Sequence, residues 1–263
     1  MPSIDLASLR QQGTELADRI GDPPAFRTAL RSLLDRHSHR LLRRSRSMVR
    51  RSALPAWEVP GLLIREVEAA LLPAVRQNPD AALQAAVGIW PSGRLEEKQL
   101  AAFLAGLSDN TGEIRTVLLR WLAETEDPEV LEDLARLTCR PLRSADAVFF
   151  RSDVRAWITD PHPARRRFGW TALHRWVEDK NSESFFAAFE LLPLVFDETD
   201  PEAAQSAAGL FGCLAEYSPQ ETKAWLSELS SKTRQHGRRF LRSAIYVLPG
   251  ETADHLRSLL REE

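Results

Sequence analysis

The sequence predicts an all-α protein, and three observations carry that prediction. Leu, Ala, Arg and Glu dominate the 263 residues while glycine numbers only 12, so nearly every segment between breakers is helix-forming rather than β-branched. Apolar residues recur at helical spacing in one stripe after another. A small polar or acidic residue followed by proline punctuates the chain at Asp22-Pro23, Asn78-Pro79, Asp127-Pro128, Asp160-Pro161 and Asp200-Pro201. Each pair reads as a helix N-cap with Pro at the first helical position, where its missing N–H does no harm and its fixed φ suits the helix.

Taken in order, residues 1–52 read as N-terminal helices that include an Arg-rich segment, 53–250 as tandem helical pairs and 251–263 as a C-terminal helix, all within a single domain. "GEIRTVLLRWLAET" places Ile114, Val117, Leu118, Trp121 and Leu122 on one stripe, and "PEVLEDLARL" does the same with Val130, Leu131, Leu134 and Leu137. These stripes are core. "SADAVFFRSDVRAWI", "DPHPARRRFGWTALHRW", "PEAAQSAAGLFGCLAEY", "PQETKAWLSELSSK" and "RFLRSAIYVL" continue the alternation of helix and short polar turn, for about a dozen helices and no convincing strand. The Pro punctuation is spaced by 56, 49, 33 and 40 residues. The shorter intervals hold two helices and their turns, the period of HEAT-like or armadillo-like repeats, and the longer ones need an extra helix. The expected architecture is a right-handed α-solenoid of HEAT-like repeats with a concave basic groove.

Charge is polarised. The net charge is −2, yet Arg27 to Arg51 holds nine arginines against Asp35 alone, a local charge of +8, which leaves −10 on the rest. That distribution steers a polyanion to one region. A second basic run, Arg165, Arg166 and Arg167, falls in the first turns of the helix expected after Asp160-Pro161, where free N–H groups and guanidinium forks can converge on an anion. A third, from Leu229 to Gly250, carries Lys232, Arg234, Arg238, Arg239 and Arg242 with no acid. Together they suit sequence-independent contact with the backbone of duplex DNA. The candidate DNA-binding residues are Arg43, Arg44, Arg50, Arg51, Arg165, Arg166, Arg167, Arg238, Arg239 and Arg242. For Arg43 to Arg51 the alternative is a salt-bridged face, although local acids are missing.

Other chemistry finds little support. His37 and His39 lie on different sides of a helix and lack further ligands, so no metal site is expected. No P-loop, GxGxxG, GxSxG or HExxH is present, and no cofactor is expected. Cys139 and Cys213 read as reduced, buried thiols. No apolar run approaches a membrane span and the N-terminus has no secretory apolar core, which points to a cytoplasmic protein, expected to be a monomer. Most tryptophans fall on core stripes; Trp57 and Trp90, beside prolines and turns, are the better candidates for exposed contacts, with a core position as the equal alternative.

Four stretches, "VPGLLIREVEAAL", "VGIWPSGRLEEKQLAAFLAGL", "VRAWITDPHPARRRFGWTAL" and "AAQSAAGLFGCLAE", resemble in order and spacing the AlkD-like DNA alkylation repair glycosylases, which are built from HEAT-like repeats. The likeness covers roughly residues 10 to 248. It implies duplex DNA held in a positively charged concave groove and hydrolysis of the N-glycosidic bond of N3- or N7-alkylated purines, without metal or nucleotide. An aspartate would stabilise positive charge on the sugar while aromatic side chains contact the damaged nucleotide.

Residue by residue the likeness is mixed. The family's Trp-x-x-x-Asp element falls on "EVLEDLA", which maps the aspartate to Asp133 and puts Glu129 in the tryptophan's place. The Arg of its Trp-x-x-Arg element falls on Arg166 with Pro163 as the Trp, or on Arg167 with Ala164. An Ile-Gly-Trp-like run falls on "AAGLFG", where Leu210 replaces the ring beside Phe211. Asp133 is thus the candidate catalytic residue, with a solvated acidic face shared with Glu129 and Glu132 as the alternative. The missing aromatics keep a second function open: a non-catalytic HEAT-like scaffold that binds DNA or a protein partner through the same face.

Overall fold

The computed structural model describes residues 6–38, 52–230 and 235–261, and every regular element among them is helical. The helices are α1 (Leu6–Ala17), α2 (Pro23–His37), α3 (Gly61–Gln77), α4 (Pro79–Ile89), α5 (Leu95–Ala105), α6 (Thr111–Glu124), α7 (Pro128–Asp133) and α8 (Cys139–Ala145). Then come α9 (Ala147–Ile158), α10 (Pro163–Val177), α11 (Ser182–Leu191), α12 (Pro201–Tyr217), α13 (Pro219–Ser230), α14 (Gln235–Ala244) and α15 (Gly250–Leu259). The all-α expectation holds.

Four of the five Pro-punctuated starts form as read. Asp22 accepts from the Ala25 amide, Asn78 from Ala81, Asp127 from Glu129 and Val130, and Asp200 from Ala203. The fifth differs: α10 begins at Pro163 with His162 as its N-cap. Proline bars the residue before it from helical geometry, and His162 accordingly sits at φ −83°, ψ 122°. Asp160 instead caps a turn, its Oδ1 accepting from the His162 amide at 2.8 Å.

The chain forms two compact units, Met1–Ala145 and Asp146–Glu263. In the first, α1 packs on α3, α3 on α5 and α5 on α7, while α2 packs on α4 and α4 on α5. In the second, α10 packs on α9, α11 and α12, α12 on α13 and α14, and α13 on α15. The stripe Ile114, Val117, Leu118, Trp121 and Leu122 is buried, as are Trp157, Trp170 and Trp176. Trp90 takes the core position of its two readings, not the exposed contact. It is 2% exposed and stacks on Trp121 at 4.1 Å, its Nε1 donates to Glu124 at 2.7 Å, and the Lys98 ammonium lies 3.7 Å from its ring. Trp57 is half-buried under the Arg94 guanidinium. Cys139 is buried and Cys213 half-buried, neither in a disulfide, and burial pushes the Cys213 thiol up to about 11.

One irregularity positions the candidate site. Between α7 and α8 the chain widens into a π turn, Leu134–Thr138. Pro141 has no N–H for the Leu137 carbonyl four residues back, and its ring crowds that carbonyl, which loosens the preceding turn. The buried Arg143 guanidinium donates to the Ala135 and Arg136 carbonyls at 3.2 and 3.4 Å. Helix α5 approaches this turn at Gly106, where a Cβ would lie 2.2 Å from the Leu137 oxygen, and the Thr138 hydroxyl donates to the Ala102 carbonyl.

Candidate functional site

Asp133 ends α7 at the mouth of the π turn. The solvated-face alternative does not describe it: the residue is 7% exposed, and Arg136 donates to its Oδ1 at 2.7 Å. Gln99 on α5 also hydrogen-bonds its carboxylate, and Glu68 on α3 lies within electrostatic reach. Helices α5 and α7 therefore both supply hydrogen-bonding or carboxylate groups here, and α3 adds a nearby charge. Burial raises the Asp133 pKa, and the Arg136 and Gln99 bonds partly offset that shift. Glu68 is raised too, first by burial and further by Asp133, while Arg136 and Arg65 act against the rise. Arg136 is half exposed, so it covers the carboxylate without being locked over it. Sequence reading passed over Arg136, although the Asp-x-x-Arg spacing is a helical i,i+3 pair. Glu68 and Gln99 carry no local signal.

A strap precedes α3 in the same unit. The Ser52 hydroxyl and Ala53 amide donate to Asp127, the Ser52 amide to Glu129, and the Trp57 and Glu58 amides to Glu96. Glu129, in the place of the expected aromatic, is thus engaged in tying down the backbone. Arg43, Arg44, Arg50 and Arg51 lie outside the described residues.

In the second unit the three consecutive arginines of α10 reach three different acids. Arg166 forks onto Glu198, Nε to Oε1 and Oε2 at 3.1 and 2.9 Å and Nη2 to Oε1 at 3.0 Å. Its Nη1 donates to the Asp160 and Pro161 carbonyls. Arg165 pairs with Asp160 at 3.3 Å, and Arg167 with the exposed Glu202. They do not converge on one point: guanidinium groups this close repel, and acids from two neighbouring segments offer each a separate partner. Arg238, Arg239 and Arg242 fall on α14, which packs on α12; Arg242 is exposed, and the other two side chains lie outside the described residues. Leu210 and Phe211 are both fully buried, so neither presents a ring to solvent.

The comparison that decides the family is a match of the DNA alkylation repair enzyme model to residues 57–248. The chain belongs to that family. No curated protein and no solved structure matched it. Membership of the DNA alkylation repair enzymes ties the chain to DNA repair, and the matched span contains Asp133, the strap from Trp57 onward, Arg165 to Arg167 and all three α14 arginines. Among the described residues, no group of three His, Cys, Asp or Glu could hold a metal ion, and no helix is long and apolar enough to cross a membrane.

Proposed function

We propose that this member of the family binds duplex DNA through backbone phosphates and hydrolyses the N-glycosidic bond of N3- or N7-alkylated purines, with Asp133 as the carboxylate that stabilises positive charge on the sugar. The observation that carries the reading is Asp133 itself, inside the matched span, nearly buried and covered by a half-exposed arginine. A DNA phosphate competes with Asp133 for Arg136. When Arg136 turns to the phosphate, the carboxylate loses its counter-charge and faces the sugar, where the developing cation replaces it. The alkylated base is already a good leaving group because it is cationic, so no acid is needed to protonate it.

Phosphate contacts fall to Arg165 and Arg167, whose pairs with Asp160 and Glu202 lie toward the surface, to Arg238, Arg239 and Arg242 on α14, and to Arg43, Arg44, Arg50 and Arg51. Arg166 is the pin that holds this end of α10 on Glu198. The HEAT-like array with its basic groove, one domain from residue 1 to 263 and a monomer in the cytoplasm, is the setting we propose.

One observation favours a second reading. Glu129 and the buried Leu210 occupy positions where the family likeness calls for aromatics, which suits a scaffold that binds DNA without cleaving it. The experiment is release of N3-methyladenine and N7-methylguanine from methylated duplex DNA, with binding followed in parallel. Release that disappears in Asp133→Asn supports hydrolysis; salt-sensitive binding without release selects the scaffold; absence of both overturns the proposal and leaves a protein-binding module.

A further inference from the structure

Between α7 and α8 the Cys139 amide donates to the Leu134 carbonyl, five residues back, which is the register of a π turn. In that register the Arg136 carbonyl would accept from residue 141, and Pro141 has no N–H to give. Arg143 on α8 supplies a donor instead. Its Nη1 lies 3.4 Å from the Arg136 carbonyl oxygen and 3.2 Å from that of Ala135. The side chain is buried, where a guanidinium carries a desolvation cost that an apolar residue would not. What it contributes there is a donor for two carbonyls of the turn. The residue whose carbonyl it holds, Arg136, is also the one whose side chain donates to the Asp133 Oδ1 at 2.7 Å. That side chain is half exposed, so its aim depends on where its backbone stands.

We infer that Arg143 is a positioning residue for the Asp133 site: its hold on the Arg136 carbonyl sets the backbone from which the Arg136 guanidinium covers the Asp133 carboxylate. The far side of the turn is fixed separately, by the Thr138 hydroxyl on the Ala102 carbonyl and by the close approach of α5 at Gly106. The side nearer Asp133 is where the Arg143 bonds fall. Without them the Arg136 peptide can tilt, and a displacement of about 1 Å is enough to break a charge-assisted hydrogen bond of this length. The groups that face Asp133 are Arg136 and Glu132 from its own stretch of chain, Gln99 from α5, and Glu68 from α3, with Arg65 beside Glu68. Of those that favour the ionised carboxylate, Arg136 is the one whose backbone Arg143 holds. Loss of its cover therefore raises the titration of Asp133 still further above the ordinary aspartate range. The inference rests on the proposed function for its effect on base release, and not for its effect on Arg136 and Asp133.

The test follows the Asp133 carboxyl by carbon-13 NMR in the full chain without DNA, its signal assigned by Asp133→Asn. Arg136→Gln should raise the titration midpoint by about one pH unit, the low end of what an adjacent guanidinium is worth. Arg143→Met should raise it by at least about half as much, and Arg143→Met combined with Arg136→Gln should go no higher than Arg136→Gln alone. Arg143→Lys keeps a cationic nitrogen for the two carbonyls and should return the midpoint to its wild-type value; this variant decides where Arg143→Met does not melt cooperatively. A stability loss in Arg143→Met with the midpoint unmoved, additive shifts in the double variant, or a displaced midpoint in Arg143→Lys overturns the inference. Release of N3-methyladenine from methylated duplex, assayed alongside, separates the two ideas. Where the wild type releases base, Arg143→Met should lower kcat about tenfold while duplex affinity changes less than about threefold. A moved midpoint in a chain that releases no base keeps the role of Arg143 and removes the proposed function; base release by the wild type with an unmoved midpoint does the reverse.

Discussion

Replacing Arg166 with alanine distinguishes a structural arginine from a DNA-binding one. The side chain is 18% exposed and its partner Glu198 only 3%. Arg166→Ala removes three hydrogen bonds to that carboxylate and two to the Asp160 and Pro161 carbonyls, leaving the Asp200 amide, at 2.8 Å, on Glu198. Breaking a buried pair from one side strands a charge and costs about 3–5 kcal/mol, far more than an exposed pair. For a unit of this size, at about 4 °C per kcal/mol, that lowers the unfolding midpoint by roughly 12–20 °C. Arg166→Met with Glu198→Leu removes both charges and should recover most of the loss, since an apolar pair of similar volume can replace a buried ion pair. Urea unfolding followed by tryptophan fluorescence gives the cycle. Loss below about 1 kcal/mol in the single variant, or a double variant no more stable than the sum of its parts, refutes the reasoning. Duplex binding supplies the second readout: the salt dependence should be unchanged in Arg166→Ala, and a slope shallower by about one unit would instead assign this side chain to a phosphate.

Asp133→Asn should reduce base release to background while duplex binding stays within about twofold. Because burial raises the Asp133 pKa, the acid limb of the release rate should lie above the pH at which an exposed aspartate titrates, and the wild-type pH profile checks this. The sign for stability is opposite to that of a paired surface acid: the folded chain holds this proton more tightly than the unfolded chain. Its contribution therefore falls as pH rises from the ordinary aspartate range through the raised value, a fall that Asp133→Asn removes when unfolding is compared across pH. Gly106→Ala places a methyl 2.2 Å from the Leu137 oxygen, so α5 and the π turn must separate. A loss of about 1–3 kcal/mol in urea unfolding is expected, and base release should decline with it because Asp133 borders that turn. Arg165→Ala, Arg167→Ala and Arg242→Ala should each reduce the salt slope of duplex binding by about 0.9, without dependence on DNA sequence.

Much of the helical framework was legible because its causes are local. A cap needs an acceptor three residues from an amide, and Asp22, Asn78, Asp127 and Asp200 each supply one where proline marks the start. The one failure, at Asp160, is also local: His162 stands before a second proline, and that constraint outweighs the first. The stripe from Ile114 to Leu122 needs only helical periodicity. Trp90 stayed open between core and exposed contact because its proline and turn described the backbone, whereas Trp121, a helix away, decided its burial.

The sequence by itself determined the helical class, most helix starts, the polarised charge and the ordered stretches that mark a DNA alkylation repair enzyme, since each depends on residue identity or on neighbours within a few positions. Tertiary structure decided the electrostatics. Whether Arg166 meets Glu198, 32 residues away, and whether Glu68 and Gln99 gather around Asp133, depends on which helices pack side by side. The strength of each charge contact then depends on how much water that packing excludes, and no local pattern encodes that quantity.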